Sequence, residues 1–276
     1  MKAGLRVGMV GLGMVLGGVA AWGQASALPS AAVSAGEGKS GRELMGEMVS
    51  ALGGEAWVGK KTWVVKGRVA KFYKGEAEVG APGFEEYVRV KPFGDRFVVV
   101  AHYGAVFAKD HRDVAQVWTA DKGWEITYKG ARALGAKEVA DFEREREHSL
   151  EVVVGEWLVE KGVEVRNEGE AMVASELVDE VEVVRASGDA VTVRLDARTH
   201  LPVSVSWQWR DAEFGDLDTE AVEFADWHAV SGVMTPYAVT TRRNGDVTGE
   251  RFVTSVVYGV ALGEAVFDPG LGLGKK

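Results

Sequence analysis

Apolar and polar residues alternate along much of the chain from Lys61 onward. In the first such run, Trp63, Val65, Gly67 and Val69 occupy every second position. A period of two is typical of a strand that buries one face. Further runs with strand-like residues lie at 87–90, 97–101, 116–119, 124–128, 181–183, 191–195, 203–209, 222–227, 237–241 and 252–258. The pattern predicts a mainly β (α+β) fold, in which meandering strands form a large, curved antiparallel sheet or an open barrel.

Two segments have the spacing of helices instead. In residues 42–52 the apolar residues recur at helical spacing, and Gly53 and Gly54 stop the pattern as a C-terminal cap would. Residues 137–159 are predicted to form one long helix or two short ones. This second segment contains a charged run at 141–147, which indicates a solvated helix face. Because the apolar faces of the strands need cover, we expect the helices to lie over the concave side of the sheet.

The first 27 residues have the pattern of an export signal. Lys2 and Arg6 precede an apolar, glycine-rich stretch at 7–22, and Ala-Ser-Ala at 25–27 offers small residues to a signal peptidase. The apolar stretch is shorter than the roughly 20 residues that a membrane-spanning helix needs. We therefore predict a signal peptide at 1–27 that is cleaved after Ala27, and a periplasmic location for the mature chain.

The rest of the chain is predicted to contain one domain. Residues 28–40 indicate a flexible leader, 41–269 a single domain and 270–276 a loose, glycine-rich tail. Cleavage would remove two of the 32 basic residues and none of the 41 acidic ones, so the mature chain would have a net charge of −11. An acidic surface repels phosphate backbones, and we therefore expect no nucleic acid among the partners.

The sequence contains no motif that indicates catalysis. It has no cysteine, and neither a Gly-x-Ser-x-Gly nor a His-Glu-x-x-His pattern occurs. Asp110, His111 and Asp113 lie in a predicted loop with too few partners for a zinc site, and His148 in the charged segment is expected at the surface. The sequence thus predicts no enzymatic activity, no metal site and no cofactor, and a hydrolase or metalloenzyme is the least favoured function.

Six tryptophans on the predicted strands fit two interpretations: Trp63, Trp118, Trp124, Trp207, Trp209 and Trp227. They are either ordinary core residues or part of the wall of an apolar cavity suited to a lipid or an acyl chain. Because each predicted strand has one apolar face, the second interpretation predicts a set of lining residues. This set is Trp63, Val65, Val69, Val98, Val100, Trp118, Val193, Leu195, Val203, Val205 and Trp207.

The order of turn and strand motifs resembles a known family. A helix that ends in Ala-Leu-Gly-Gly at 51–54 is followed by Trp63-x-x-Lys66-Gly67. Later motifs are Val-Trp at 117–118, Gly-Trp-Glu at 123–125, Leu-Pro at 201–202, Asp226-x-x-x-x-Ser231-Gly232-Val233-x-x-Pro236, Asn-Gly at 244–245 and Phe-Asp-Pro at 267–269. Together they resemble the periplasmic outer-membrane lipoprotein-sorting superfamily (Lol-type lipoprotein carriers) over nearly the whole mature chain. The resemblance implies a half-open barrel with a helical lid over an apolar cavity, and no ligand-binding residue can be transferred from it.

Two functions from different classes follow. In the first, the chain is a periplasmic carrier that holds the acyl chains of a lipid or a lipoprotein in the cavity. In the second, it is a non-catalytic interaction or structural module of the envelope, which has the same fold, a filled core and envelope proteins as partners. An open internal cavity favours the carrier, and a filled one favours the module.

Overall fold

A computed structural model describes residues 38–73, 75–78, 80–100, 113–211, 215–271 and 273. The predicted signal peptide, residues 28–37 of the leader and the pair Asp110–His111 therefore lie outside the described residues, as do residues 272 and 274–276 of the predicted tail. The described residues from Lys39 onward belong to one compact unit.

A single antiparallel sheet of 14 strands dominates this unit. The strands are β1 (Thr62–Tyr73), β2 (Glu76–Ala77), β3 (Gly83–Arg89), β4 (Gly94–Val100), β5 (Val114–Trp118), β6 (Gly123–Thr127), β7 (Gly130–Ala133), β8 (Glu164–Val173), β9 (Glu176–Val184), β10 (Ala190–Asp196), β11 (Pro202–Arg210), β12 (Leu217–Val230), β13 (Val233–Arg243) and β14 (Asp246–Tyr258). The predicted antiparallel sheet is confirmed, and β2, β7 and β8 are strands that the sequence pattern did not predict.

The strand order explains why the sheet is a half-open barrel. It runs β7-β6-β5-β4-β3-β1-β14-β13-β12-β11-β10-β9-β8, so the first long strand pairs with the last one in the middle of the sheet. Within the described residues β7 and β8 are the two ends of this path and do not pair with each other. The chain between these two edges forms helices, which cross from one edge of the sheet to the other.

Helix α1 (Gly41–Leu52) is the main cover of the sheet. Ser40 caps its N-terminus in a capping box with Glu43, and Gly53 ends the helix with φ 119°, a conformation that favours glycine. The helix is followed by the short α2 (Glu55–Val58). Apolar side chains of α1 and α2 pack on strands of the second half of the sheet in the main core, which contains Leu44, Met45, Met48, Leu52, Trp57, Val181, Val183, Val191, Val193, Leu195, Val205, Trp207 and Val233.

The predicted helical segment at 137–159 consists of two helices rather than one. Helix α3 (Ala136–Glu147) and helix α4 (Leu150–Gly155) are followed by a 3₁₀ turn at Trp157–Val159. Leu150, Val153 and Trp157 join the main core, whereas α3 has no buried residue. No helix among the described residues has the length and apolar character needed to cross a membrane.

A smaller core lies on the opposite face of the sheet. There Phe267, from the 3₁₀ turn Glu264–Phe267, packs with Ala115, Val117 and Ile126. A Cβ atom on Gly94 would lie 2.7 Å from the Phe267 ring, so glycine makes room for this contact. The C-terminal segment thus covers the outer face of β4 to β6 and leaves their inner face to the helices.

Candidate functional site

The main core does not fill the space between the helices and the sheet. An inner cavity of about 310 Å³ remains between helices α1 to α4 and the inner face of the sheet, which is the face that carries Trp63 and Val205. Its wall is mostly apolar and unusually rich in aromatic rings. The apolar lining residues are Leu52, Trp57, Trp63, Val65, Leu150, Val205, Trp207, Val222, Phe224, Trp227, Met234, Pro236, Val239, Val253, Val256 and Tyr258.

A second space, the polar groove, adjoins the inner cavity under helix α3. Its volume is about 460 Å³, and it shares Glu145, Trp207, Val222 and Thr241 with the inner cavity. The other lining residues are Gln116, Trp118, Leu134, Glu138, Asp141, Phe142, Arg144, Glu220, Ala221, Arg242, Arg243 and Thr248. An apolar space therefore continues into a charged one, which is the arrangement that an amphiphilic ligand requires.

Five of the predicted lining residues border these two spaces. Trp63, Val65, Val205 and Trp207 line the inner cavity, and Trp118 lines the polar groove together with Trp207. They come from β1, β5 and β11, which the fold brings to the same side of the sheet. Alternation along each strand identified these positions, because every second residue of a strand faces the same side of the sheet. Directly paired residues of neighbouring strands also share a face.

The other predicted residues border neither space. Val193 and Leu195 are fully buried under the helices of the main core, and Val69 is buried beside its strand partner Arg251. Val203 and Val100 are half-buried and line neither the cavity nor the groove. Val98 packs in the smaller core with Phe267, on the outer face of the sheet. The structure therefore does not bring Val98 together with the cavity, because Phe97 takes the inward position in β4.

One end of the inner cavity is ionic. Glu86 of β3 and Arg251 of β14 form an ion pair there, and the Arg251 guanidinium also lies 4.8 Å from the centre of the Phe84 ring. Asp95 of β4 belongs to the same group, because its charge and that of Arg251 act on each other. Burial, together with the charges of Glu86 and Glu145, raises the pKa of Asp95 well above its usual range, although Arg251 opposes this shift.

Helix α3 adds a third carboxyl group to this end. Glu145 lines both the inner cavity and the polar groove. It makes neither a hydrogen bond nor an ion pair with any residue that the structure describes. Its side chain is exposed, with protein around it on the side that faces the cavity, and desolvation by these groups raises the pKa of Glu145 while Arg251 opposes the shift. One arginine thus faces three carboxyl groups.

The cavity also contains a buried lysine. The ammonium group of Lys60 lies 3.6 Å from the centre of the Trp57 ring and 5.7 Å from that of Trp63. It forms an ion pair of 3.1 Å with Glu151 of α4. Burial lowers the pKa of Lys60, and the charge of Glu151 opposes this shift. The aromatic wall therefore already holds one cation.

One sequence expectation about the charged segment is wrong, and a second one is incomplete. His148 is not at the surface: it is 5% exposed, its Nε2 lies 3.0 Å from Asp189 Oδ1, and its ring stacks on Trp207. The run at 141–147 is not simply a solvated face either. Arg144 lies 3.6 Å from the centre of the Trp209 ring, and Glu145 lines the cavity. The run reaches inward because α3 lies across the open side of the sheet.

The cavity residues that the sequence did not indicate fall into two groups. The aromatic and aliphatic residues of β12 and β14 follow the alternation rule, but a register shift between β1 and β14 moves the inward positions from Arg251 and Val253 to Val256 and Tyr258. Extending the rule to β12 would have found Val222 and Phe224. Nothing in a local pattern indicates that Glu145 faces a cavity, because it belongs to a run of charges.

Among the described residues, no group of three His, Asp or Glu side chains is placed to hold a metal ion. The charged side chains of the inner cavity include the pair Lys60–Glu151 and the pair Glu86–Arg251, and rings and aliphatic groups form most of the remaining wall. Chemically, the arrangement can bury an apolar chain and bind a polar group at one end of it.

Comparison with known proteins relates this architecture to solved structures. No protein-family model matches the sequence, and no curated protein does so either. A DUF1329 family protein from Desulfovibrio piger has a TM-score of 0.54 at 14% identity, over 83% of this chain and 95% of the other. A domain assigned to outer-membrane lipoprotein sorting from Vibrio parahaemolyticus has a TM-score of 0.51 at 14% identity, over 82% of this chain and 95% of the other. The chain therefore has the same fold as these two proteins.

Proposed function

We propose that this chain is a periplasmic carrier that holds an acyl chain of a lipid or a lipoprotein in the inner cavity. The observation that carries the proposal is the aromatic-walled space of about 310 Å³ beside the main core. This volume is at the low end of the range of roughly 300–1,000 Å³ that small-molecule sites have. The proposal assigns no catalytic step to the chain.

Burial of an acyl chain provides a favourable contribution to binding. Each methylene group that moves from water into an apolar site contributes about 0.8 kcal/mol, so half a dozen contribute about 5 kcal/mol before the costs of association. The polar groove gives the remaining part of such a ligand access to solvent, since it shares Trp207 and Glu145 with the cavity. Reversible binding of a partly enclosed chain is what a carrier needs.

The fold supports the same class of function. The Vibrio parahaemolyticus domain that shares this fold is assigned to the sorting of outer-membrane lipoproteins. Lipoproteins carry acyl chains, and a space between helices and a half-open barrel is a suitable place to bury them. Envelope proteins are the partners that would deliver or receive such a ligand.

We further propose that the chain works outside the cytoplasm. The export signal expected at 1–27 supports this location. The measurement is the intact mass of protein recovered from the periplasm, which should correspond to a chain that begins at Leu28. A periplasmic protein that retains residues 1–27 would contradict the proposed cleavage after Ala27.

Binding is tested with an uncharged fluorescent probe whose emission rises in apolar surroundings. We expect the purified protein to raise the emission of this probe at micromolar concentration, and organic extraction of protein from the periplasm to release a lipid that mass spectrometry identifies. Val253 lines the inner cavity, so Val253→Trp should fill part of it and abolish most of the emission increase.

A control on the same strand separates filling of the cavity from a change in the sheet. Val257 of β14 is 56% exposed and lines neither space, so Val257→Trp should leave the emission unchanged. Circular dichroism and the midpoint of urea unfolding show whether both variants are folded. If the folded wild-type protein leaves the probe dark, the carrier proposal fails and the interaction module with a filled core is the better description.

A further inference from the structure

The charges of the inner cavity do not balance. Its lining contains two cationic side chains, Lys60 and Arg251, and three carboxylates, Glu86, Glu145 and Glu151. Lys60 pairs with Glu151, and Arg251 pairs with Glu86. Glu145 is left over, and the nearby Asp95 adds a further carboxyl group on the same side of the sheet.

Glu145 forms no ion pair with a described residue, and the charges of Arg251 and Arg144, which attract it, are each shared with other carboxylates. Arg144, the next residue of α3, forms ion pairs with Asp141 at 2.8 Å and with Glu220 at 3.4 Å. Arg242 and Arg243 of the polar groove pair with Glu223 and Asp218. Every arginine of the two spaces thus has a carboxylate partner within the protein, whereas the carboxylate that projects into both spaces has no partner among the described residues.

The wall of the cavity independently favours a cation. The ring faces of tryptophan, tyrosine and phenylalanine attract ammonium groups, and cages of such rings bind alkylammonium ligands. Trp57, Trp63, Trp207, Trp227, Phe224 and Tyr258 all line the cavity. Lys60 shows that these rings accept an ammonium group, because its Nζ lies over both Trp57 and Trp63.

We propose that the inner cavity binds an amphiphile that carries a positively charged amine or ammonium group next to its apolar chain, and that Glu145 is the counter-ion of this group. The inference rests on the proposed carrier function and adds the chemical class of the ligand. The apolar chain lies among the rings, and the cation lies where the cavity meets the polar groove.

The same charges disfavour an anionic head group. A fatty-acid carboxylate at this end would meet Glu145 and would have to share Arg251 with Glu86. Like charges in a partly buried site repel each other more strongly than in water, because the effective dielectric constant is lower. The carboxylate would also lie against ring faces, which are the negative side of the aromatic quadrupole.

The test compares three ligands with the same dodecyl chain: a trimethylammonium, an alcohol and a carboxylate. Each displaces the uncharged fluorescent probe from the wild-type protein at neutral pH, below the concentration at which it forms micelles. We expect the ammonium compound to bind most tightly and the carboxylate most weakly. If the carboxylate binds as tightly as the ammonium compound or more tightly, the inference is overturned and the carrier function stays intact. If none of the three ligands binds, both the inference and the proposed carrier function are contradicted.

Two substitutions on α3 locate the effect. Glu145→Gln keeps the size of the side chain and removes its charge, so affinity for the ammonium compound should fall about tenfold while affinity for the alcohol stays the same. Glu147, two positions further along, lines neither space and is exposed, so Glu147→Gln should change neither affinity. Equal loss in both variants, or no loss in either, would contradict the role of Glu145.

A final pair of ligands distinguishes the sources of the cation. Lysophosphatidylethanolamine and lysophosphatidylglycerol have the same chain and phosphate, but only the first has an amine. A preference for the first identifies an aminated lipid head group as the source. Binding of the trimethylammonium compound without such a preference identifies an alkylamine that has no phosphate.

Discussion

Helices α1 and α3 have the same length of 12 residues and lie over the same sheet, but they are held by different forces. Helix α1 buries Leu44, Met45, Met48 and Leu52. Helix α3 buries no residue completely. Its contacts are planar side chains that stack on aromatic rings. The Phe142 ring, for example, stacks on the Trp118 ring, and the two ring centroids lie 4.0 Å apart.

The difference separates a structural cover from a movable one. Burial of a large aliphatic side chain contributes about 1.5–3 kcal/mol, and α1 makes four such contacts. A stacked pair or a cation over a ring contributes about 0.5–2 kcal/mol, and these contacts keep part of their energy when one group slides. We infer that α1 is part of the cooperative core, whereas α3 can leave the cavity without unfolding the sheet.

The largest effect is expected for Met48→Ala in α1. Met48 has no exposed surface and lies in the centre of the main core, so the substitution leaves a cavity. The free energy of unfolding should fall by about 2–5 kcal/mol, as measured by urea denaturation. If it falls by less than the change caused by any single substitution in α3, the distinction between the two helices is wrong.

The second-largest effect is expected at Asp95, which lies with Glu86, Glu145 and Arg251 in the cluster of charged residues near α3. Burial and the charges of Glu86 and Glu145 raise the pKa of Asp95 in the folded protein, with Arg251 opposing the shift. The folded state therefore binds a proton more tightly than the unfolded state, and stability is lost as the pH rises through the raised pKa. The Oδ1 atom of Asp95 is buried and has no hydrogen-bond partner among the residues that the structure describes.

Asp95→Asn removes this ionisation and should stabilise the protein most at high pH. We expect the variant to be more stable than the wild type by about 1–3 kcal/mol at pH 8, with a smaller difference at pH 5. Urea unfolding at both pH values measures it, and the other titrating groups cancel in the difference. A gain that is the same at pH 5 and pH 8 would show that ionisation of Asp95 is not its cause.

The comparison also shows what the sequence can predict. Helix α1 was located from its own residues to within one position, because apolar spacing and a glycine stop are local signals. The β hairpins followed from alternation and turn residues for the same reason. The pairing of β1 with β14 brings together residues that are far apart in the chain, and no local pattern encodes it.

The candidate site divides in the same way. Trp63, Val65 and Val205 were found because their strands alternate, whereas Val98 was placed on the wrong side for the cavity, since β4 has valine or phenylalanine at successive positions 97–100 and its pattern does not choose a face. The inward direction of Glu145 depends on where α3 crosses the sheet. A charge in a charged run gives no local sign of this placement.

A smaller effect is expected at the N-terminus of α1. The Ser40 hydroxyl accepts a hydrogen bond from the backbone N–H of Glu43, and the Glu43 carboxylate accepts one from the backbone N–H of Ser40. Ser40→Ala removes the first bond and should lower the free energy of unfolding by about 1 kcal/mol. The Ser50 hydroxyl donates its one hydrogen bond among the described residues to the Gly46 carbonyl of the same helix, so Ser50→Ala is a suitable control with a smaller change.

The smallest change in global stability, and the largest in local motion, is expected for Phe142→Ala in α3. Phe142 is half-buried and stacks on Trp118, so its loss removes a contact of about 0.5–1.5 kcal/mol that closes the polar groove. If α3 opens as a separate unit, the lost contact lowers the free energy of local opening of α3 and leaves the free energy of global unfolding nearly unchanged. The midpoint of urea unfolding should then stay nearly constant, while amide hydrogens of α3 exchange several times faster and those of α1 do not change. Equal acceleration in both helices would mean that α3 unfolds only with the core, and ligand entry would then need a different route.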